Sequence, residues 1–252
     1  FAIDRHRWPG PNVFAKTRRL IEPERTYYSL TTDELLRVQA VLRPDRRLEF
    51  RVALHTGMRP GELFGLHKCD VDLKAGVIHV RRSHGRGTTK TGRPRSLPIT
   101  PAIADDMAVA MRLASGDLVF PSPDGERQRF DTKLTKILRN AMRAAGVAVE
   151  SVTLKCRRAG CLRHVTRLGS DMSQVSCSNC SFLMWPVANV RPVRWYDLRH
   201  MFASNLRRAG ADPLAITLAM GHRPKTTTER HYTHLTIEDL SRELSRWALP
   251  RT

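Results

Sequence analysis

The run "RWYDLRHMFASNLRRAGADPLAITLAMGH", residues 194 to 222, decides the reading of this chain. Within it Leu198, Phe202 and Leu206 recur along one helical face until Gly210 stops the helix. A second helix opens with Asp212 as its cap and Pro213 at its first position, and Gly221 closes it. Arg199 interrupts the first helix directly beside an apolar position, and His222 follows the end of the second. A guanidinium on one helix and an imidazole at the end of the next are tools for handling an anion.

Working outward, the anion takes on an identity. The chain has 252 residues with 43 Lys+Arg against 24 Asp+Glu, a formal charge of +19. Such a surplus attracts polyanions, and nucleic acid leads. Anionic membrane is the weaker partner because no strongly apolar amphipathic segment accompanies the charge. No window approaches a membrane span and no secretory signal opens the chain, so the expectation is a cytoplasmic, DNA-associated protein.

Toward the N-terminus, "FAIDRHRWPGPNVFAKTRRLIEPERTYY", residues 1 to 28, lacks sustained periodicity and reads as a linker from an upstream DNA-binding domain. A folded unit begins near residue 29, where Thr31 or Thr32 caps a helix carrying Asp33 and Glu34 in its first turn. Helix continues over 47 to 55, and "TGMRPGEL" then breaks it at Gly57 and Pro60, fixing the backbone from which Arg59 projects. The runs 77 to 81 and 95 to 99 flank a glycine-rich basic connection and predict a hairpin. Lys90 sits on it, and Arg81, Arg82, Arg86, Arg93 and Arg95 are expected DNA contacts. Helical pattern covers 101 to 114 and 131 to 145. The fold class expected is mainly α with a small antiparallel β-sheet.

Two guanidiniums can bracket a phosphodiester and neutralise the charge that builds on a phosphorane. A lysine on a hairpin can protonate a leaving oxygen. Tyrosine, with a free pKa near 10, becomes a nucleophile only among cations. Of the four tyrosines, Tyr232 in "HRPKTTTERHYTH" is the best placed.

Taken together, residues 29 to 150 and 191 to 248 resemble the catalytic domain of the tyrosine recombinase (phage integrase) family, whose second part is taken here as 191 to 252. "TGMRPGEL" supplies Arg59 with Glu62 in the accessory acidic position, and "TKTGRPRSLPI" supplies Lys90. "YDLRHMFAS" supplies Arg199, and "MGHRPKTTTERHYTH" supplies His222 and Tyr232. One position departs from the family pattern: Tyr196 stands where a histidine is usual, and a phenol is a far poorer base at neutral pH. The resemblance implies site-specific DNA recombination or integration, as in a mobile genetic element. In that reaction Tyr232 forms a 3′-phosphotyrosyl link, with neither ATP nor a catalytic metal. It further implies double-stranded DNA as partner, a homotetramer in the synapse, a monomer without DNA, and a bacterial or phage origin. Type IB topoisomerase chemistry and a non-catalytic DNA-binding module are the alternatives.

Between the two halves, residues 151 to 190 read as an inserted zinc-ribbon-like subdomain. Cys156, Cys161, Cys177 and Cys180 form two ligand pairs suited to one structural Zn²⁺. From 151 to 194 there are seven Arg/Lys and one acid, Asp171, so little core can form without a metal. Finally, Ile237, Leu240, Leu244 and Trp247 form an apolar stripe, either an arm for a neighbouring protomer or a cis-packed helix.

Overall fold

The computed structural model describes residues 27–83, 87–88, 94–122, 124–126, 128, 133–222 and 235–251. Lys90, Arg86, Arg93, Tyr232 and the linker up to residue 26 lie outside the described residues.

The first helix, α1 (Thr32–Val41), starts with a capping box in which Thr31 and Glu34 satisfy each other's backbone N–H groups. Pro44 opens α2 (Pro44–Thr56), the most deeply buried helix, and Gly57 ends it in the left-handed conformation. Glycine is required there twice over. Its φ is +61°, and a Cβ would lie 2.4 Å from the Phe202 ring. Short α3 (Pro60–Leu63) follows, then β1 (Val71–Asp72), β2 (Val77–Val80) and β3 (Arg95–Pro98) in an antiparallel sheet of that order. The expected hairpin is present, with β1 as an added edge strand.

Helices α4 (Ala104–Leu113) and α5 (Leu134–Ala144) lead to a second antiparallel sheet. Its strands are β4 (Val149–Cys156), β5 (His164–Leu168), β6 (Val175–Ser176) and β7 (Leu183–Val190), ordered β5-β4-β7-β6. It begins two residues before the boundary expected at 151. The chain then enters α6 (Asp197–Arg208), α7 (Pro213–Ala219) and α8 (Ile237–Leu244). Asp212 caps α7 through the Leu214 N–H, as its sequence position implies.

One apolar core unites both flanks of the second sheet, running from Leu35, Phe50 and Leu54 to Leu198, Phe202 and Leu244. The four-cysteine sheet has only a small core of its own, Leu154, Cys156, Cys177 and Met184. Its root is tied to α5, where Arg139 Nε donates to the Val193 carbonyl at 3.0 Å and Arg143 Nε to the Ala188 carbonyl at 2.9 Å.

Of the two readings of the C-terminal stripe, the structure adopts cis packing. Leu240, Leu244 and Leu249 are buried in their own chain, and Trp247 stacks on His55 at 5.4 Å. Buried polar groups explain why the stripe returns: Arg51 Nη1 donates to the Leu249 carbonyl at 3.0 Å while its Nε meets Asp106 at 2.6 Å. His55 Nε2 accepts from the Leu249 N–H at 3.0 Å. Burial pushes His55 down to about 4, so the ring is neutral and free to accept.

Candidate active site

Arg59 is the residue before α3, and Pro60 at the first helical position holds it in extended backbone. Its N–H donates to Glu62 Oε2 at 3.0 Å and its Nη1 to Glu62 Oε1 at 2.8 Å. Glu62 is fully buried and receives a second guanidinium. Arg95 Nη2 donates to Oε2 at 2.7 Å and Nη1 to Oε1 at 3.2 Å, while its Nε reaches the Ala219 carbonyl at 2.7 Å. Burial alone would raise the Glu62 carboxyl, but the hydrogen bonds and charges of Arg95 and Arg59 outweigh it and hold it at about 2. Gly221 makes room for this clamp: a Cβ there would lie 3.0 Å from Arg95 Nη1, with φ at +68°.

Arg199, on the first turns of α6, is the largest fully buried side chain described. Its Nη1 donates to the Gly57 carbonyl at 2.6 Å, its Nη2 donates to the Met220 carbonyl, and Nη2 also approaches His222 Nε2 at 3.2 Å. Burial first, then the Arg59 and Arg95 charges, push its pKa down to about 10, still a cation at neutral pH. The same causes lower His222: burial, then Arg199, Arg59 and Arg95. A neutral His222 with Nε2 turned to a donor carries its proton on Nδ1.

The structure thus brings Arg59, Glu62, Arg199 and His222 together, and adds Arg95. Three guanidiniums face a single carboxylate, so the cluster keeps a net positive charge suited to a phosphate. Arg95 was expected as a DNA contact on the hairpin, and it is instead spent within the cluster. Arg81 and Arg82 remain half-exposed, paired with buried Asp70 at 3.2 and 2.7 Å. Tyr196, 39% exposed, stands one turn before Arg199 with its ring edge-on to His200 at 5.5 Å.

Beside Tyr196 lies a cleft of about 720 Å³ between α5 and residues 194–196. Lys133, Lys136, Arg139, Arg143 and Arg194 line it, and no acid does among the described residues. The Trp195 indole N–H, buried in its wall, has no hydrogen-bond partner among the described residues. The sequence reading passed over these cations, although their spacing of three and four residues on α5 marks one helical face.

The four cysteines converge in the second sheet, with all four sulfurs within 4.8 Å of one another. Cys156 Sγ and Cys180 Sγ are 3.5 Å apart, Cys161 Sγ and Cys177 Sγ 3.7 Å. Those separations are far too long for disulfides and close to the roughly 3.8 Å that four Zn–S bonds of about 2.3 Å impose in a tetrahedron. The Asn179 amide donates to Cys161 Sγ at 3.4 Å and helps lower that thiol to about 6. The donor set fits a thiophilic structural metal.

A mainly helical fold that clamps a buried glutamate between two arginines, with a third arginine and a histidine beside them and a small sheet alongside, is that of a tyrosine recombinase catalytic domain. Comparison agrees: the sequence pattern of the phage integrase family matches residues 29–177 and 187–239. The chain belongs to that family. Tyrosine recombinase XerA of Thermococcus kodakarensis is 26% identical over 215 residues, covering 84% of this chain and 60% of that protein. The chain therefore spans 60% of the length of that relative, less than two thirds. Among solved structures, the integrase of mycobacterium phage Brujita superposes with a TM-score of 0.58 at 19% identity, covering all of this chain and 68% of its own. A lambda integrase tetramer bound to a Holliday junction gives 0.55 at 16%, covering 90% and 55%. At these identities the likeness is one of fold.

Proposed function

We propose that the chain is the catalytic part of a site-specific recombinase or integrase that cuts and rejoins double-stranded DNA through a 3′-phosphotyrosyl link to Tyr232. The observation that carries this reading is Arg199, buried yet charged, locked between the Gly57 and Met220 carbonyls beside His222 and the Arg59–Glu62 pair. Burying a guanidinium is costly: the two backbone carbonyls offset part of that cost, the Arg59 and Arg95 charges add to it, and an anion received at the cluster offsets the rest. Arg59 and Arg199 neutralise the phosphorane, His222 positions a non-bridging oxygen, and Lys90 delivers a proton to the leaving 5′ oxygen. The cleaved bond's energy stays in the phosphotyrosine, and the freed 5′-hydroxyl of a partner duplex attacks it. Tyr196 donates a hydrogen bond to phosphate in place of the family's histidine.

The cation-lined cleft along α5 supplies a path for the DNA backbone next to the site. Residues 29–150 and 191–252 form the catalytic unit, and the intervening sheet is a zinc-stabilised insertion held by Cys156, Cys161, Cys177 and Cys180. When bound, the ion holds together strands whose own apolar core is four residues. Elemental analysis should return one zinc per chain, and a metal-free chain with an intact second sheet would end that assignment. Assembly is proposed as a tetramer on two duplexes, by analogy with the fold of the lambda integrase on a Holliday junction. No described helix is long and apolar enough to cross a membrane, and a cytoplasmic, DNA-associated setting is proposed.

Incubation with two duplexes bearing the attachment sites tests the reaction. Recombinant products joining the two are expected, whereas relaxation of supercoils without exchange of partners would assign the chain to topoisomerase chemistry.

A further inference from the structure

The strand register divides the second sheet into two faces. Val152, Leu154, Cys156 and Met184 turn toward the sulfurs. Thr153, Lys155, His164, Thr166, Leu168 and Trp185 occupy the opposite face, which stays open among the described residues: Trp185 is 42% exposed and Leu168 90%. The Arg157 guanidinium lies over the Trp185 ring, 4.9 Å from its centre. Beside it, Thr153 Oγ1 meets Thr166 Oγ1 at 3.0 Å and accepts from the Asn189 amide at 2.8 Å. Lys155, Arg157, Arg158 and Arg163 have no ion-pair partner among the described residues, and the only acid from 151 to 194, Asp171, is occupied by Arg167 at 3.1 Å and by Ser173.

A metal-held staple needs only the sulfur side of this sheet, and a tryptophan left open under an arginine on the other side calls for an occupant. We propose that this face is a second DNA-docking surface, which grips the duplex away from the cleaved bond. Arg157 and Lys155 take backbone phosphates, and Trp185 packs against the adjoining sugars. The charge decides for DNA over a second copy of the chain: the segment from 151 to 194 has seven cations to one acid, in a chain of formal charge +19. Two such surfaces repel, whereas a polyanion matches them.

Its reach follows from the strands. β4 and β7 each have eight residues and leave the core beside α5 and Trp195, so at about 3.3 Å per residue the exposed end stands roughly 25 Å from the root. That distance equals about seven base pairs of B-DNA at some ten base pairs per 34 Å turn. The inference rests on the reading of the chain as a DNA-cleaving enzyme, but it concerns contacts remote from the chemistry.

The test uses the full zinc-loaded chain with Lys155→Ala, Arg157→Ala and Trp185→Ala combined, and Lys155→Glu alone as a single exposed change that spares the fold. Zinc content by elemental analysis confirms that each variant keeps its sheet. Binding to a 40-base-pair duplex is measured by fluorescence anisotropy over a range of salt, together with hydroxyl-radical footprints and covalent trapping on nicked DNA at saturating protein. We expect the triple variant to bind about tenfold more weakly, with a salt slope shallower by about 1.8 for two lost phosphate contacts. Its footprint should shorten by several base pairs while trapping at saturation stays normal. Lys155→Glu should weaken binding in the same direction. Unchanged affinity, slope and footprint in both variants overturn the proposal, as does loss of self-association in sedimentation with DNA binding intact, which would give the face to a second copy. Failure of the parent chain to form any covalent adduct would instead count against the enzymatic reading, so the two failures are told apart.

Discussion

Arg95 shows how a residue in a basic run can differ in kind from its neighbours. In "GRPRSLPI" nothing of composition separates it from Arg93, and it reads as one more phosphate contact. The register separates it: Arg95 pairs across the sheet with buried Val80, so its guanidinium turns in to Glu62 and the Ala219 carbonyl. It thereby joins the root of the Lys90 hairpin to the acid that holds Arg59 and to the end of the helix before His222. Glu62 sits at about 2, below the ordinary carboxylate value of 4.5. A group lowered in the folded state stabilises it fully above its unfolded value and ceases to do so as pH falls through the folded one. A lowering of that size amounts to about 3 kcal/mol, shared by Arg95 and Arg59. Arg95→Ala should thus unfold at lower urea than the parent at pH 7, and the gap between the two should narrow from pH 4.5 to pH 3. A gap of equal size at both ends, followed by tryptophan fluorescence, would show that Arg95 does not act through the charge of Glu62.

At the scale of elements, the helices that open with strong caps were legible, because Thr31–Glu34 and Asp212–Pro213 announce their own starts. The hairpin was legible from its basic turn, and the Arg59, Arg199 and His222 cluster from the boxes that carry it. Less legible was anything that depends on a distant partner. The apolar stripe of α8 says that the helix packs, but not on what, and the answer lies in the buried polar groups Arg51 and His55, which capture the Leu249 backbone almost two hundred residues away. Likewise α5 reads as an ordinary amphipathic helix until its cations are seen to wall a cleft with residues 194–196. Truncation after residue 235 removes Leu240, Leu244 and Leu249 from the core and leaves Arg51 facing its lost carbonyl acceptors. At about 2 kcal/mol for each large buried side chain, the loss is roughly 6 kcal/mol, comparable with the whole stability of many domains. The truncated chain should therefore show no cooperative thermal transition by circular dichroism. A transition like the parent's would mean that the C-terminal segment is not part of the fold's foundation and would return it to service as an arm.

Over the whole molecule, a strongly basic chain of the phage integrase family gathers charge in three places: the Arg59–Arg95–Arg199 cluster, the cleft beside α5, and the outer face of the four-cysteine sheet. We propose the first for one phosphate and the other two for the neighbouring DNA backbone. The nucleophile proposed to reach that phosphate is Tyr232. Trapping on a nicked suicide duplex, followed by proteolysis and mass mapping of the DNA-linked peptide, tests it most directly. A covalent adduct is expected at the 3′ side of the cut, attached through Tyr232 and absent from Tyr232→Phe, with DNA binding of that variant nearly unchanged. An adduct that persists in Tyr232→Phe, or one that maps to Tyr196, would contradict it.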